Sequence, residues 1–390
     1  MRKIVFWIHL CVGVCAGLVI FIMSVTGVLL MYEKQIISWA DGVSVTPPSG
    51  SIERLPVEQL IAKVAEVETA SPTAIAISSD PSKPASFSFG REKTVFVDPY
   101  TGAILGEGSK GVRTFFRVMI DWHRWLGMGD TDNRALGKAI TGASNLGFLF
   151  LVLSGIYLWW PRNWNARALK AVLLFDRTAR GKARDWNWHN VIGIWSAIPL
   201  AILVFTATFF SYPWATEWLY RATGEEPPPK RAPAASAPRQ NGGKSAAKES
   251  SDTLSFSGLH ESWAKAEARL PGWRTITLRV PASPSAPLAF TVDRGNGARP
   301  DLRGQLTIDP KNGEEKWEGY ESQGTARKIR LWVRWLHTGE AGGMLGQTIA
   351  GLASAGGAVL VWTGLSLAIR RVLKRKNART ESVPEIVSIP

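Results

Sequence analysis

Four of the five histidines in this 390-residue chain stand beside long apolar stretches. His9 lies in "WIHLCVG" and His189 in "WNWHNVIG", while His123 lies in "FFRVMIDWHRWLG" and His337 in "IRLWVRWLHTGEAGG". An ionisable side chain at a membrane helix carries a cost in free energy, which makes it a functional candidate. Imidazole is also a frequent ligand of transition metals. The four histidines are therefore the first candidates for a cofactor site.

The apolar stretches that carry these histidines cover about residues 4–31, 139–160, 191–212 and 345–369. Each approaches or exceeds the ~20 residues that a helix needs to cross a bilayer. The formal net charge of +14 is concentrated beside them: residues 161–188 hold seven Lys or Arg and two Asp, and further basic residues flank both termini. Basic residues at the ends of membrane helices mark the cytoplasmic side. We expect four membrane helices with both termini in the cytoplasm, and no nucleic-acid partner is needed to explain the charge.

The two long segments between the apolar stretches repeat one another. The first contains the amphipathic run "VEQLIAKVAEVE" and then short β-rich runs, and the second contains "SFSGLHESWAKAEARLP" and then similar runs. In each, a strand leads into Asp-Pro-x-x-Gly, at Asp98 and at Asp309, whose Pro and Gly favour a turn. The pattern predicts one helix on a small antiparallel sheet in each segment. A Pro, Ala, Ser and Lys-rich run at 225–252 is typical of a mobile linker.

The topology places the histidines in two pairs, one at each face of the membrane. His9 and His189 fall on the inner side and His123 and His337 on the outer side, and about 30 Å of hydrocarbon separates the faces. Two helices can supply one imidazole each to a haem iron, so the pattern suits two bis-histidine haem b groups. Nearby glycines would leave room for a flat macrocycle: Gly13, Gly17, Gly127, Gly193 and Gly342.

Other interpretations of the same residues remain open. The histidines could be interfacial side chains that hydrogen-bond carbonyls or lipid head groups, with the glycines serving helix packing. Arg124 and Arg334, together with Arg330, suit the carboxylates of haem because guanidinium matches carboxylate geometry. Attraction to the membrane surface is the competing explanation of these arginines. Arg117, Trp122 and Trp335 would favour an anionic or oxygen-rich ligand beside the outer pair.

Several motifs resemble one known family over nearly the whole chain. They are "HRWLG", "LSGIYLWWPR", "WHNVIG" and "LHTGEAGG...TGLSLAIRR", combined with the two β-rich outer segments. These features resemble the PepSY-associated transmembrane helix proteins, which include bacterial inner-membrane ferric-siderophore reductases. The resemblance implies an α-helical membrane bundle of four transmembrane helices with two α+β PepSY-like periplasmic domains. It also implies a haem-dependent reductase of iron uptake, with a ferric siderophore or other ferric chelate as acceptor.

The expected protein is a multi-pass protein of the bacterial inner membrane, in contact with the lipid bilayer and supplied with electrons by an unidentified cytoplasmic or quinol donor. Its expected parts are transmembrane helix 1 (1–31), a first periplasmic domain (32–118), a haem-flanking segment with transmembrane helix 2 (119–160), a basic cytoplasmic loop (161–188), transmembrane helix 3 (189–212), a second periplasmic domain (213–328), a haem-flanking segment with transmembrane helix 4 (329–369) and a basic cytoplasmic tail (370–390).

Three classes of function fit these expectations. The first is a transmembrane electron-transfer enzyme. The second is a membrane-bound binding or regulatory protein, since PepSY-like domains also occur as inhibitory modules, and the third is a siderophore permease. The sequence has no Gly-rich phosphate loop, nucleophile elbow or zinc-protease motif, which disfavours an ATP-driven pump or a hydrolase. The apolar stretches lack midplane charges, which disfavours the permease.

Overall fold

The computed structural model describes residues 1–49, 53–90, 93–161, 165–227, 258–281, 283 and 286–381, with side chains up to residue 373. Most of the predicted linker at 225–252 lies outside these residues. The helices are α1 (Arg2–Leu30), α2 (Glu33–Asp41), α3 (Val57–Ala65), α4 (Lys110–Trp125), α5 (Arg134–Trp159), α6 (Ala166–Leu173), α7 (Gly181–Ser211), α8 (Pro213–Ala222), α9 (Leu259–Arg269), α10 (Thr325–His337) and α11 (Gly343–Glu381). The strands are β1 (Ala74–Ser78), β2 (Ala85–Phe89), β3 (Lys93–Val97), β4 (Ile104–Glu107), β5 (Thr275–Arg279), β6 (Leu288–Asp293), β7 (Arg303–Ile308) and β8 (Glu315–Glu318).

The chain divides into two compact units. The bundle unit comprises Met1–Glu33, Phe116–Ala215 and Val333–Pro390, and the sheet unit comprises Lys34–Phe115 and Thr216–Trp332. In the bundle unit, α1, α5, α7 and α11 are long and apolar enough to cross a membrane, which confirms the four predicted spans. Each packs against two of the others, in the cyclic order α1, α5, α7, α11.

The bundle is apolar on its outside and partly polar within, as expected of a membrane protein. Leu18, Ile198 and Leu352 are 70%, 75% and 69% exposed on its outer surface. The buried Asn145 amide of α5 donates hydrogen bonds to the Val204 carbonyl and to Thr208 Oγ1 of α7, at 3.0 and 3.3 Å. Because hydrocarbon offers no hydrogen-bond partners, polar side chains turn inward and join neighbouring helices.

The sheet unit holds one antiparallel sheet of eight strands, in the order β4-β3-β2-β1-β5-β6-β7-β8. The sequence predicts a separate small sheet in each repeat, and here the structure differs. Strands β1 and β5 pair in register from Ala74 with Arg279 to Ser78 with Thr275, which joins the two four-stranded halves. An unpaired edge strand exposes its backbone donors and acceptors, and this pairing removes one such edge from each half. Helices α3 and α9 contribute to one shared core with the sheet.

The repeated Asp-Pro-x-x-Gly turns are confirmed. Asp98 Oδ1 accepts a hydrogen bond from the Tyr100 N–H at 2.8 Å, and Asp309 Oδ1 accepts one from the Lys311 N–H at 2.9 Å. The glycine that closes each turn has a positive φ, +73° at Gly102 and +70° at Gly313. Glycine adopts this conformation without the steric penalty of a Cβ, which explains its place in both turns.

Candidate functional site

The first pair of histidines lines a cavity at one end of the bundle. We call this the terminus end, because it holds the beginning of α1 and the end of the α11 span. His9 of α1 and His189 of α7 line a cavity of about 760 Å³ together with apolar side chains of all four membrane helices. Gly13, Gly17 and Gly193, three of the glycines singled out from the sequence, also line it. The structure therefore brings the two predicted inner histidines to one cavity.

Each of these two imidazoles is held by a hydroxyl on the neighbouring helix. His9 Nδ1 lies 2.8 Å from Ser154 Oγ of α5, and His189 Nδ1 lies 2.9 Å from Thr363 Oγ1 of α11. Ser154 Oγ already donates to the Phe150 carbonyl at 2.6 Å, and Thr363 Oγ1 to the Val359 carbonyl at 2.8 Å. A hydroxyl has one proton to donate, so it accepts from the imidazole. Nδ1 therefore carries the proton, and Nε2 keeps a free lone pair for a ligand bond.

The second pair lies at the opposite end of the bundle. His123, near the end of α4, has Nδ1 2.9 Å from Thr26 Oγ1 of α1. His337, the last residue of α10, donates from Nδ1 to the Leu203 carbonyl at 2.9 Å and lies 3.2 Å from Thr206 Oγ1 of α7. A carbonyl oxygen only accepts, so the protonated nitrogen of His337 is again Nδ1. Thr26 Oγ1 donates to the Ile22 carbonyl at 2.7 Å, so it accepts from the Nδ1–H of His123. All four imidazoles therefore carry the proton on Nδ1 and present an unprotonated Nε2.

The rings of His123 and His337 face one another with their centroids 6.4 Å apart. Two imidazoles that bind one metal from opposite sides, with metal–nitrogen bonds of ~2 Å, place their ring centres ~6 Å apart. The separation therefore matches that of two imidazoles that bind one metal ion between them. Both histidines sit on amphipathic helices that precede the membrane helices α5 and α11, and not within those membrane helices.

A twofold repeat relates the two halves of the site. Thr26 follows His9 by seventeen residues, and Thr206 follows His189 by seventeen, a rise of ~25 Å along each helix. Sequence reasoning missed these hydroxyls, although a signal was present. Each membrane helix carries a hydroxyl residue followed by a small one: Thr26-Gly27, Ser154-Gly155, Thr206-Ala207 and Thr363-Gly364.

In three of the four pairs the small residue is a glycine that leaves room for the imidazole. A Cβ placed on Gly155 would lie 3.7 Å from His9 Cε1, one on Gly27 would lie 3.4 Å from His123 Cε1, and one on Gly364 would lie 3.3 Å from His189 Cε1. For Gly127 and Gly342, two other glycines singled out from the sequence, the role beside a ligand stays a prediction. Gly127 forms a turn after α4 with φ +80°, and a Cβ on Gly342 would meet nothing within 4 Å.

Four cations line the terminus-end cavity beside its histidines. They are Arg2, Lys3, Lys182 and Arg371. The Arg371 guanidinium lies over the rings of Phe6 and Trp7, 5.0 and 4.9 Å from their centroids. These residues were not among the predicted site residues, although their place beside the membrane stretches was visible in the sequence. The arrangement suits a flat apolar ligand with an anionic edge.

The predicted arginines Arg124 and Arg334 occupy equivalent places in the repeat. Each is exposed and stacks its guanidinium on the following tryptophan, 4.5 Å from the Trp125 ring centroid and 4.8 Å from that of Trp335. Their contact with a ligand stays a prediction. Arg117 lies 3.9 Å from Asp130 across the surface of the bundle unit.

Each histidine pair offers two imidazole nitrogens as ligands for a metal ion. Among the described residues no group of three or more His, Cys, Asp or Glu side chains converges on one point. Two protein donors leave most coordination positions of a metal ion open. A histidine pair of this kind is suited to a metal that brings its own equatorial ligands.

Fold and site together define a class of protein, a four-helix membrane bundle with a histidine pair at each end and an attached β-rich unit. The chain belongs to the PepSY-associated TM region family, whose family model matches residues 6–371. Comparison with curated protein sequences finds no match.

Proposed function

We propose that this protein is a di-haem b oxidoreductase of the bacterial inner membrane that passes electrons outward to a periplasmic ferric chelate, most plausibly a ferric siderophore. The observation that carries the proposal is the repeated histidine geometry. In each of the four cases Nδ1 is hydrogen-bonded to a neighbouring membrane helix, and the histidines meet in pairs at opposite ends of the bundle. This hydrogen bond to the second nitrogen is the arrangement found around metal-ligating histidines, where it fixes tautomer and ring orientation.

The residues of the terminus-end cavity fit haem. His9 and His189 would hold the iron, apolar walls would cover the macrocycle, and the four cations of the cavity would face the carboxylates. At the opposite end His123 and His337 would hold the second iron, with Arg124 and Arg334 nearby in sequence. Bound haem supplies one-electron chemistry between ferric and ferrous iron. The protein's own contribution is to fix both imidazoles, keep Nδ1 protonated and exclude water with apolar side chains.

The charge distribution supports the orientation. Arg2, Lys3 and Arg371 stand at the terminus end, and residues 161–188 between α5 and α7 add seven more basic side chains. This enrichment supports a cytoplasmic position of the terminus end. The pair formed by His123 and His337 would then lie on the periplasmic side. Ferric chelates present hard oxygen ligands that hold ferrous iron poorly, so reduction there would release the metal.

A visible absorption spectrum of the purified protein tests the proposal directly. We expect the bands of low-spin haem b and two haems per chain by pyridine haemochrome assay. Dithionite-reduced protein should be reoxidised by ferric siderophores under anaerobic conditions. Purified, folded protein with no haem after expression with ample haem supply would overturn the proposal, and haem that no ferric chelate reoxidises would overturn the acceptor.

Single histidine replacements test the pairing. His9→Ala and His189→Ala should each remove or convert the same haem, and His123→Ala and His337→Ala the other. The reason is that the two pairs lie ~25 Å apart along the helices, too far for one iron to be shared across them. The four variants are compared by haem content and by redox titration. Equal loss of both haems in every folded variant would contradict the assignment.

A further inference from the structure

One buried carboxylate breaks the twofold repeat of the bundle. Asp185 of α7 is 2% exposed and lies one helical turn before His189. Counting from the histidine, the matching residue in the first half is Val5. Asp185 is the one carboxylate within the described side chains of the four membrane helices. A carboxylate at a membrane helix is costly, and the repeat that explains the histidines does not explain this one.

Asp185 joins α7 to α11 beside the His189 site. Its Oδ2 accepts a hydrogen bond from Ser366 Oγ at 2.7 Å and lies 3.4 Å from Arg370 Nη2, while Oδ1 accepts from Arg184 at 3.0 Å. Ser366 stands one turn beyond Thr363, the residue that holds His189. The carboxylate is thus held in place by side-chain contacts to the same helix that supplies the hydroxyl for His189.

Asp185 and Arg184 form the polar end of a groove on the outer surface of the bundle. The groove has a volume of about 360 Å³ and is lined by Phe21, Arg184, Asp185, Trp188, Ala358, Val359, Trp362 and Thr363. Three of its aromatic walls open to the surroundings: Phe21, Trp188 and Trp362 are 38%, 40% and 68% exposed. Because this surface belongs to membrane helices, the groove opens towards lipid.

The chemistry of the groove selects among lipid-soluble ligands. Two indole rings can cover a flat ring, a carboxylate can accept a hydrogen bond from a hydroxyl, and the apolar walls at Phe21 and Val359 can take a hydrocarbon tail. A phospholipid phosphate could pair with Arg184 but would be repelled by the carboxylate of Asp185 at the same end of the groove. An acyl chain would leave the polar end of the groove without a matching group. A neutral aromatic head with hydroxyl donors fits both ends.

We propose that this groove binds a membrane quinol, with a head-group hydroxyl donating to Asp185 and the ring held between Trp188 and Trp362. The proposal rests on the proposed function, for which a quinol bound beside Thr363 would be the electron donor. Its oxidation to the quinone would release two protons and two electrons, which would be taken up one at a time by bound haem iron. The proposal also accounts for the asymmetry of the bundle, since a donor is needed at one histidine pair and not at the other.

Photolabelling of the full-length protein in nanodiscs tests the groove without depending on haem. The probe is an azido-ubiquinone analogue, reduced in place, with decylubiquinol as competitor. We expect label on peptides containing residues 184–188 and 358–363, suppressed by the competitor. Asp185→Asn keeps an acceptor for Ser366 but loses the charge, and Trp362→Ala opens the groove. Each should lower labelling about tenfold, the effect of one charge-assisted hydrogen bond or one stacked ring.

Ile198→Ala is the matched control, because Ile198 is an exposed apolar side chain of α7 outside the groove. It should label like the wild type. Label confined to other peptides, or equal labelling of Asp185→Asn, Trp362→Ala and the wild type, would overturn the groove; if Asp185→Asn fails to fold, Trp362→Ala decides alone. A phospholipid that competes as well as decylubiquinol would also overturn it. Labelling by protein that proves to lack haem would instead leave the groove standing and remove the proposed function.

Discussion

At the scale of single residues, one repeated hydrogen-bond arrangement sets the protonation form of the imidazoles. The hydroxyl of a serine or threonine in the neighbouring membrane helix donates a hydrogen bond to the backbone carbonyl one turn earlier in that helix. It can then only accept from the histidine that approaches it, as Ser154 does from His9 and Thr363 from His189. Nε2 of the imidazole is therefore unprotonated, and metal binding requires no prior loss of a proton from that nitrogen.

Thr363→Val should weaken the site of His189 and spare the site of His337. Valine keeps the shape of threonine but leaves the Nδ1–H without an acceptor, and loss of such a partner lowers metal affinity about 10–100-fold. If haem binds as proposed, the haem that stays at the His189 site should show a higher midpoint potential, by about 60 mV for each tenfold preference for the reduced state. Haem content and a redox titration measure both effects.

The control for this change is Thr348→Val, on the same helix. Thr348 donates to the Met344 carbonyl and contacts the Tyr32 hydroxyl, and no histidine is involved. Both haems should keep their occupancy and potentials in this variant. Identical titrations of Thr363→Val and the wild type would show that the Thr363 hydroxyl does not tune a bound metal.

At the scale of elements, the two helices that carry His123 and His337 begin at equivalent anchors in the sheet unit. Asp41, at the end of α2, accepts a hydrogen bond from the Ser109 N–H at the start of α4 at 2.8 Å. Its two carboxylate oxygens also pair with Nη1 and Nη2 of Arg113, each at 2.6 Å. Glu225, after α8, accepts from the Ala326 N–H at the start of α10 at 3.0 Å. A carboxylate at a helix N-terminus satisfies an orphan donor and complements the helix dipole.

Asp41→Asn should destabilise the protein at neutral pH and reduce the pH dependence of its stability. Burial by itself raises the pKa of Asp41, but the hydrogen bonds from Arg113 and Ser109 outweigh burial and hold that pKa below its ordinary value of 3.8. The stabilisation is complete above the ordinary value and is lost as pH falls through the folded-state pKa, so the window lies below about pH 4. At pH 7 we expect a loss of about 2–3 kcal/mol in the free energy of unfolding.

Thermal unfolding at pH 7 and at pH 3.5 measures this difference. Asp130→Asn serves as the control, because the Asp130 side chain is 92% exposed and its carboxylate lies 3.9 Å from Arg117, a long distance for an ion pair. Exposed pairs of this kind contribute about 0–1 kcal/mol. If Asp41→Asn matched Asp130→Asn at both pH values, the anchor would have no role in stability.

The sequence predicted elements better than it predicted their partners. Periodicity and hydropathy are local properties, and they were sufficient for the four membrane helices, the strands and the turns at Asp98 and Asp309. The pairing of β1 with β5 joins residues about 200 positions apart and left no local trace. The hydroxyls were missed for a related reason: Ser and Thr are common in membrane helices, and the following glycine that separates Thr26 and Thr363 from Thr348 is a weak signal until the imidazole is seen beside it.

At the scale of the whole molecule, the hydroxyl that holds each imidazole lies in the same half of the bundle, whereas the second histidine of each pair lies in the other half. His9 and His123 bind hydroxyls of the first half, Ser154 and Thr26, whereas the histidines facing them come from the second half. The histidine pairs are therefore formed between halves.

A chain split between residues 163 and 164 should reassemble into a protein with both histidine pairs. The division is placed before α6 because Asn187 of α7 donates to the carbonyls of Ala171 and Leu174, so α6 belongs with the second half. Co-expressed halves should co-purify through the contacts of α5 with α7 and of α1 with α11, and should show the haem bands of the intact chain. Each half expressed alone should reach the membrane without those bands, because every imidazole then faces no second ligand. A single half that shows the spectrum of bis-histidine haem would contradict pairing between halves.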